Sequence, residues 1–355
     1  MARRIRAGMV ALVALAVVVA ATVVVTRALT YDGGPDAPTS PFDLPAEGSW
    51  AIGWAAATRG AANRPTELVL VSPDGREQTV GQVSPNSTVV DISHDGRRIL
   101  TKVVGASPDV PTPFTVWDLE TGESHRFVLG HDADVLFGGG GTLVTTEAYP
   151  RTYTAIRDRR GTIVRTIPGR TGESPAVSPG GTTLMYATPT GIDVVDIPTG
   201  RLVSSTRNPQ PVACYPSGLW SDGAPKLWCG DQPGSENTYV VDPSTGRARL
   251  IGAHQQGLKK VWPTSPVTAT RTYAPNGPVF VRAGKVWPVW PAPASGTAPV
   301  RDIVAGRGST LWLTVTTSRE AYLPPGQYAR HDLRTGRTTV LAEGITSVQV
   351  IDGLT

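Results

Sequence analysis

The residue types able to do chemistry are few and scattered. His94, His125, His131, His254 and His331 show neither a His-x-His nor a His-Glu-x-x-His spacing, the arrangements that set two imidazole nitrogens on one metal. The densest group is His131-Asp132-Ala133-Asp134. A polar loop accounts for it, and a cation site or a proton-transfer pair is the sharper alternative. No Gly-x-Ser-x-Gly elbow is present, which removes the α/β serine hydrolases. Cys214 and Cys229 have 14 residues between them, and SGLWSDGAPKLW in that interval centres on a Ser221-Asp222-Gly223 turn. The two thiols are then set against each other across one hairpin, and a disulfide is expected if the domain lies outside the reducing cytosol. No second pair of ligands for zinc is nearby. Neither a metal nor a cofactor is expected.

The elements that must position these residues repeat. A β-branched run ending in an Asp-rich turn recurs at Asp74, Asp118, Asp158, Asp196, Asp242 and Asp332, with spacings of 44, 40, 38, 46 and 90 residues. The last spacing is two periods, and VFVRAGKVWPV, turning near Gly284, supplies the missing hairpin. Each outer hairpin follows an inner one, as in VVDISHDGRRILTKV and PAVSPGGTTLMYAT, so each unit has four strands. The Asp-Gly pairs are read as turn chemistry, because Asp bonds its own backbone and Gly takes positive φ. Gly 39 and Pro 32 among 355 residues, with only 17% charged, fit many tight turns, and no helical period is sustained between residues 50 and 355.

A period of 40 to 50 residues signals a propeller, because one four-stranded unit cannot cover both of its faces. The first unit shows three strands, at SWAIGWAAA, ELVLVS and EQTVGQV, while ITSVQVI is spare at the far end. The expected fold is an all-β, seven-bladed β-propeller over 49–355, closed by the C-terminal strand pairing into the first blade.

The N-terminus reads separately. Twenty uncharged residues lie between Arg6 and Arg27, enough to span roughly 30 Å of hydrocarbon as a helix. With Arg3, Arg4 and Arg6 ahead of it, residues 1–6 read as a cytoplasmic tail and 7–29 as a signal anchor, with a cleaved secretory signal as the alternative. Residues 30–48, rich in Pro, Gly and acidic groups, read as a tether. Those three arginines and Arg27 are four of the 33 basic residues, and no acid precedes Asp32, leaving 29 basic against 29 acidic beyond residue 30. The charge excess that nucleic acid binding needs is absent from that part.

The SPDGRE, SHDGRR and SPGGTT turns resemble the repeats of TolB-like and WD40-like propellers, and Trp117-Asp118 with Gly130-His131 is similar to the WD40 signature. The resemblance covers residues 50–355 as a pattern and implies a platform for contacts in the cell envelope.

In such a fold the connections from second to third strand share one face with the links between blades, opposite the hairpin turns. Here they are long: ATRGAANRP, GASPDVPTP, EAYPR, GDQPGSEN and TTSREAYLPPG. Function concentrates on long loops held by a rigid scaffold. Arg59, Arg64, Asp109, Tyr149, Arg151, Glu236, Tyr273, Arg319 and Tyr322 are the expected rim contacts. Trp287 and Trp290, set among prolines in KVWPVWPAPA, are read first as packing between blades and second as an exposed aromatic anchor. Trp50, Trp54, Trp220, Trp228, Trp262 and Trp312 fall on expected strands and are read as core. The expectation is a non-catalytic module for a protein or glycan partner; the alternative is a lyase or hydrolase with His and carboxylates in a central channel.

Overall fold

The computed structural model describes residues 41–42, 53–60, 66–104, 110–130, 133–147, 153–167, 175–178, 181–188, 191–209, 214–219, 225–229, 237–241, 247–252, 260–261, 268–270, 279–282, 285–288, 300–307, 310–316, 326–332 and 334–350. The chain forms two compact units, Met1–Thr39 and Ser40–Thr355. The first, with the expected tail and anchor, lies outside the described residues. Among the described residues, no helix is long and apolar enough to cross a membrane.

The second unit is all-β. It opens with β1 (Ala55–Arg59), β2 (Thr66–Val71) and β3 (Glu77–Val83). The next sheet is β4 (Ser87–Ile92), β5 (Arg98–Val103), β6 (Thr112–Asp118) and β7 (Ser124–Leu129). Then come β8 (Asp134–Phe137), β9 (Leu143–Glu147), β10 (Tyr153–Arg157) and β11 (Ile163–Ile167), with a short 3-10 turn at Gly139–Gly141. The fourth group is β12 (Ala176–Val177), β13 (Thr183–Thr188), β14 (Gly191–Asp196) and β15 (Leu202–Arg207). The fifth is β16 (Cys214–Leu219), β17 (Pro225–Cys229), β18 (Asn237–Val241) and β19 (Ala248–Gly252). The sixth is β20 (Lys260–Val261), β21 (Thr268–Thr270), β22 (Val279–Arg282) and β23 (Lys285–Pro288). The chain finishes with β24 (Val300–Arg307), β25 (Thr310–Thr316), β26 (Gly326–Asp332) and β27 (Thr338–Val350).

Among the described residues these strands make five four-stranded sheets and one seven-stranded sheet, ordered β24-β25-β26-β27-β1-β2-β3. All pairings among the described residues are antiparallel, and all but that of β1 with β27 join sequence neighbours. That long strand serves twice: Thr338 to Ile345 pairs with β26, and Ile345 to Val350 pairs with β1. Gly344, at φ +69°, makes the bend between the two halves. The spare C-terminal strand therefore does complete the first group, as a direct continuation of the strand before it.

The outer turns repeat one device. Asp118 Oδ1 accepts the amides of Glu120 and Thr121 at 3.0 and 3.2 Å, and Asp332 Oδ1 accepts those of Arg334 and Thr335 at 2.7 and 3.1 Å. Each turn ends on a Gly at positive φ, +74° at Gly122 and +69° at Gly336. The Asp that sets the sequence period is thus a turn cap, which satisfies amides the ladder leaves free.

Burial explains the layering. In the central strand β2 five of six residues are buried, whereas the outer strand β15 has none buried. Four apolar clusters lie between consecutive sheets. Leu68 and Leu70 meet Ile99 and Leu119; Leu100 and Phe114 meet Val135 and Phe137; Ile156 meets Leu184 and Val195; Met185 meets Leu227. A fifth cluster joins the last group to the first, with Trp312 and Tyr328 against Val69 and Val71. Among the described residues, packing thus runs from the first group through the fifth, and the last group packs against the first. Phe42, inside the expected tether, packs against the Leu68 and Leu70 cluster.

Candidate functional site

Antiparallel order returns every hairpin to one end of its sheet, so the connections 60–65, 104–111, 148–152, 230–236, 271–278 and 317–325 leave from the other end. Of the expected rim residues, Arg64, Asp109, Tyr149, Arg151, Glu236, Tyr273, Arg319 and Tyr322 lie outside the described residues, as does Trp290. Trp287 falls on β23 with Phe280 as its Cα partner. Arg59 is described, at the loop end of β1. Its guanidinium lies 2.5 Å from Glu77 Oε2, and its Nε donates to the Glu343 carbonyl at 3.0 Å. With Gly344 these residues line an open groove of about 670 Å³. One cation and two carboxylates, Glu77 and Glu343, give that groove a mixed-charge rim suited to polar contacts, and Arg59 ties β1 to both β3 and β27.

The innermost strands hold a second feature. Asp91 stands in β4, and its Oδ2 accepts the Phe137 amide of β8 at 2.7 Å while Oδ1 accepts the Ile92 amide at 2.9 Å. Burial pushes its carboxyl up to about 6, against the two amides that favour the anion. On the other side of β4, Ser347 Oγ of β27 accepts the Val89 amide at 3.2 Å. Adjoining sheets are thus latched at their inner strands by polar side chains bonded to backbone.

A third feature is buried in one sheet. Arg157 forms a close ion pair with Glu147, and its Nε donates to Thr145 Oγ1 at 3.0 Å. Tyr153 donates to Glu147 Oε1 at 2.7 Å, which keeps its phenol above the ordinary range, with burial the larger cause. The guanidinium also donates to the Gly161 carbonyl at 2.8 Å. Each group is committed to its neighbours, and the cluster reads as an internal brace.

At the hairpin end, Asp118 is buried and faces two guanidiniums, Arg98 Nε at 3.4 Å and Arg159 at 3.5 Å from the next sheet. Cys214 and Cys229 are bonded to each other as Cα partners on β16 and β17, and both are buried. Trp54 and Trp312 are buried, as expected of core; Trp228 lies on β17, and Trp50, Trp220 and Trp262 lie outside the described residues. His331 is buried and bonds Thr338 Oγ1 at 2.9 Å. His131 and Asp132 lie outside the described residues. Among the described residues, no three His, Cys, Asp or Glu side chains lie close enough to share a metal.

Sequence reading missed Asp91 and the Arg157 and Glu147 pair. Their signal was present: charged residues inside VVDI, LVTTE and YTAIR, where Asp and Glu are depleted in strands.

Solved structures resemble this chain in fold. A dihydro-heme d1 dehydrogenase matches at TM-score 0.51 and 12% identity, over 89% of this chain and 80% of its own. A puromycin hydrolase matches at 0.52 and 14%, over 81% of this chain and 51% of its own. A periplasmic gluconolactonase of Pseudomonas aeruginosa matches at 0.50 and 13%, over 84% and 99%. The chain has a β-propeller fold. No family model matches the sequence, and no curated protein matches it. The activities of those proteins differ from one another, and at such identities the likeness carries the propeller architecture alone.

Proposed function

We propose that this chain is a non-catalytic binding module, a seven-bladed propeller held outside the cytoplasm on an N-terminal membrane anchor. The seven-stranded sheet counts as two blades that share β27, and the five four-stranded sheets count as one each. The observation that carries the reading is the pairing of β1 with β27. It supports a closed scaffold with the long connections at one end, the arrangement that best presents variable loops to a partner.

The partner is a protein or a glycan of the envelope, met by Arg59 and by the loop residues from Arg64 to Tyr322 named above. The buried disulfide supports placement in an oxidising compartment. The apolar stretch at 7–29 behind Arg3, Arg4 and Arg6 supports retention at the membrane with the N-terminus inside.

Photo-crosslinking amino acids placed at Asp109, Tyr149 and Arg319, with controls at the hairpin-end Thr199 and Arg334, test the reading in cell envelopes. A discrete partner captured from the first set and absent from the second supports it. Equal capture from both ends of the sheets argues against the loop face.

A further inference from the structure

We propose that the hairpin end of the last sheet carries an oxyanion site, built from Arg330, Arg337 and the hydroxyls of Thr310, Thr335 and Thr339, that takes a phosphoryl group. It lies at the opposite end of the sheets from the long connections and stands independently of the function proposed above.

These side chains line a half-open cavity of about 560 Å³, with Asp332 as the one carboxylate. Strand register brings them together. Thr310 is the Cα partner of Asp332, and Arg330 is the partner of Thr339. Arg330 and Asp332 are two apart on β26, so they share a face, as do Arg337 and Thr339 on either side of the start of β27. A side chain at Gly336 would meet nothing within 4 Å, so the turn leaves the approach open.

The charge balance favours an anion. Asp332 is committed to its turn: its Oδ1 accepts the Arg334 and Thr335 amides, and these bonds hold its carboxyl below the usual carboxylate range. Arg334 lies 3.9 Å from its other oxygen, a loose contact. Arg330 gives one long bond, 3.5 Å, to the Pro73 carbonyl, which leaves most of its donors available. Asp74, next to Pro73, is already bonded to Ser72 and to Arg76. Among the described residues, neither Arg330 nor Arg337 forms an ion pair.

The capped turn does not require Arg334 or Arg337. The Asp118 turn has the same capping pattern, with Glu120 and Glu123 where this turn has Arg334 and Arg337. One backbone device thus carries opposite charge in two sheets, so the basic character of this turn is free to serve a ligand. Two guanidiniums and three hydroxyls offer donors in more directions than a planar carboxylate accepts, which matches a tetrahedral phosphoryl. The cavity exceeds one phosphate, leaving room for what bears it, whether a soluble phosphate ester or a lipid headgroup.

The test uses the full chain in a zwitterionic detergent. Inorganic phosphate is titrated calorimetrically into the parent, into Arg330→Gln/Arg337→Gln, and into Arg201→Gln at the Asp196 turn as control. Saturable binding by parent and control, weakened by about tenfold or more in the double variant, is expected. A second arm compares parent and double variant, in the same detergent, for binding of short-chain phosphatidylglycerol against short-chain phosphatidylcholine. A difference between the two proteins there assigns the headgroup, and phosphate binding without such a difference assigns a soluble ligand. Thermal unfolding of the double variant at the parent's temperature keeps loss of fold out of the comparison. Equal heats for parent and double variant, or no saturable binding of either probe, overturns the site.

Discussion

The hydroxyls of Thr58 and Thr346 lie 2.9 Å apart although 288 residues separate them in the chain. The second also donates to the Thr58 carbonyl at 3.1 Å. They mark the seam at which the chain's last strand becomes the partner of its first, and the buried Ile345 and Val348 lie in the same seam.

Removal of residues 344–355 therefore destabilises the whole domain. It deprives β1 of one of its two partners and strips the Trp312 and Tyr328 cluster of two apolar side chains, each worth roughly 1.5–3 kcal/mol. Against a total of about 5–15 kcal/mol, the loss is global. Circular dichroism during heating should show the entire β signal melting earlier; an unchanged midpoint would mean that the tail merely frays. Ile345→Ala alone should cost about 2–5 kcal/mol.

The Cys214 and Cys229 bond closes a separation of 15 residues within one hairpin, in the core that its sheet shares with the preceding one. Its loss in Cys214→Ala/Cys229→Ala should lower stability by about 2–4 kcal/mol. Denaturant titration with and without reductant checks this: reductant should shift the parent and leave the double variant unmoved.

Asp91 makes stability depend on pH in an unusual direction. Its folded pKa, about 6, lies above the unfolded value of 3.8, so the folded state holds the proton more tightly. The contribution is fully present below about pH 4 and is lost as pH rises through 6, on the order of 3 kcal/mol in all. Asp74, Asp95, Asp196 and Asp332, all shifted down, act oppositely and lose their contributions as acid protonates them. Urea unfolding at intervals from pH 4.5 to 7 should show parent stability falling relative to Asp91→Asn. Parallel curves would show that the carboxyl does not titrate between the two inner strands.

Glu147→Gln leaves the Arg157 guanidinium buried without its counter-charge and should cost about 3–5 kcal/mol. Replacing both, as Glu147→Leu/Arg157→Met, should recover most of that loss. The readout is a double-mutant cycle by denaturant unfolding; additive effects would contradict the brace.

Much of the architecture was legible because it is local and periodic. The Asp turns at 118, 158, 196 and 332 recur in sequence for the same reason that they cap amides in the structure: a short carboxylate bonds its own backbone wherever it stands. The apolar runs marked strands, the turns marked hairpins, and the hairpin from Cys214 to Cys229 implied their bond. The phosphoryl site was not legible, since Thr310, Arg330 and Arg337 belong to three segments and meet only through strand register.

The sequence by itself determined the repeat, the all-β character and the spare strand at the end, because these follow from side-chain alternation and turn chemistry within a few residues. The tertiary structure alone decided that β27 is one strand with two partners, that Asp91 meets the amide of another sheet, and that Arg157 is matched to Glu147 in a buried cluster. Those depend on which faces meet and in what register, and residues far apart in the chain carry no local signature of their meeting.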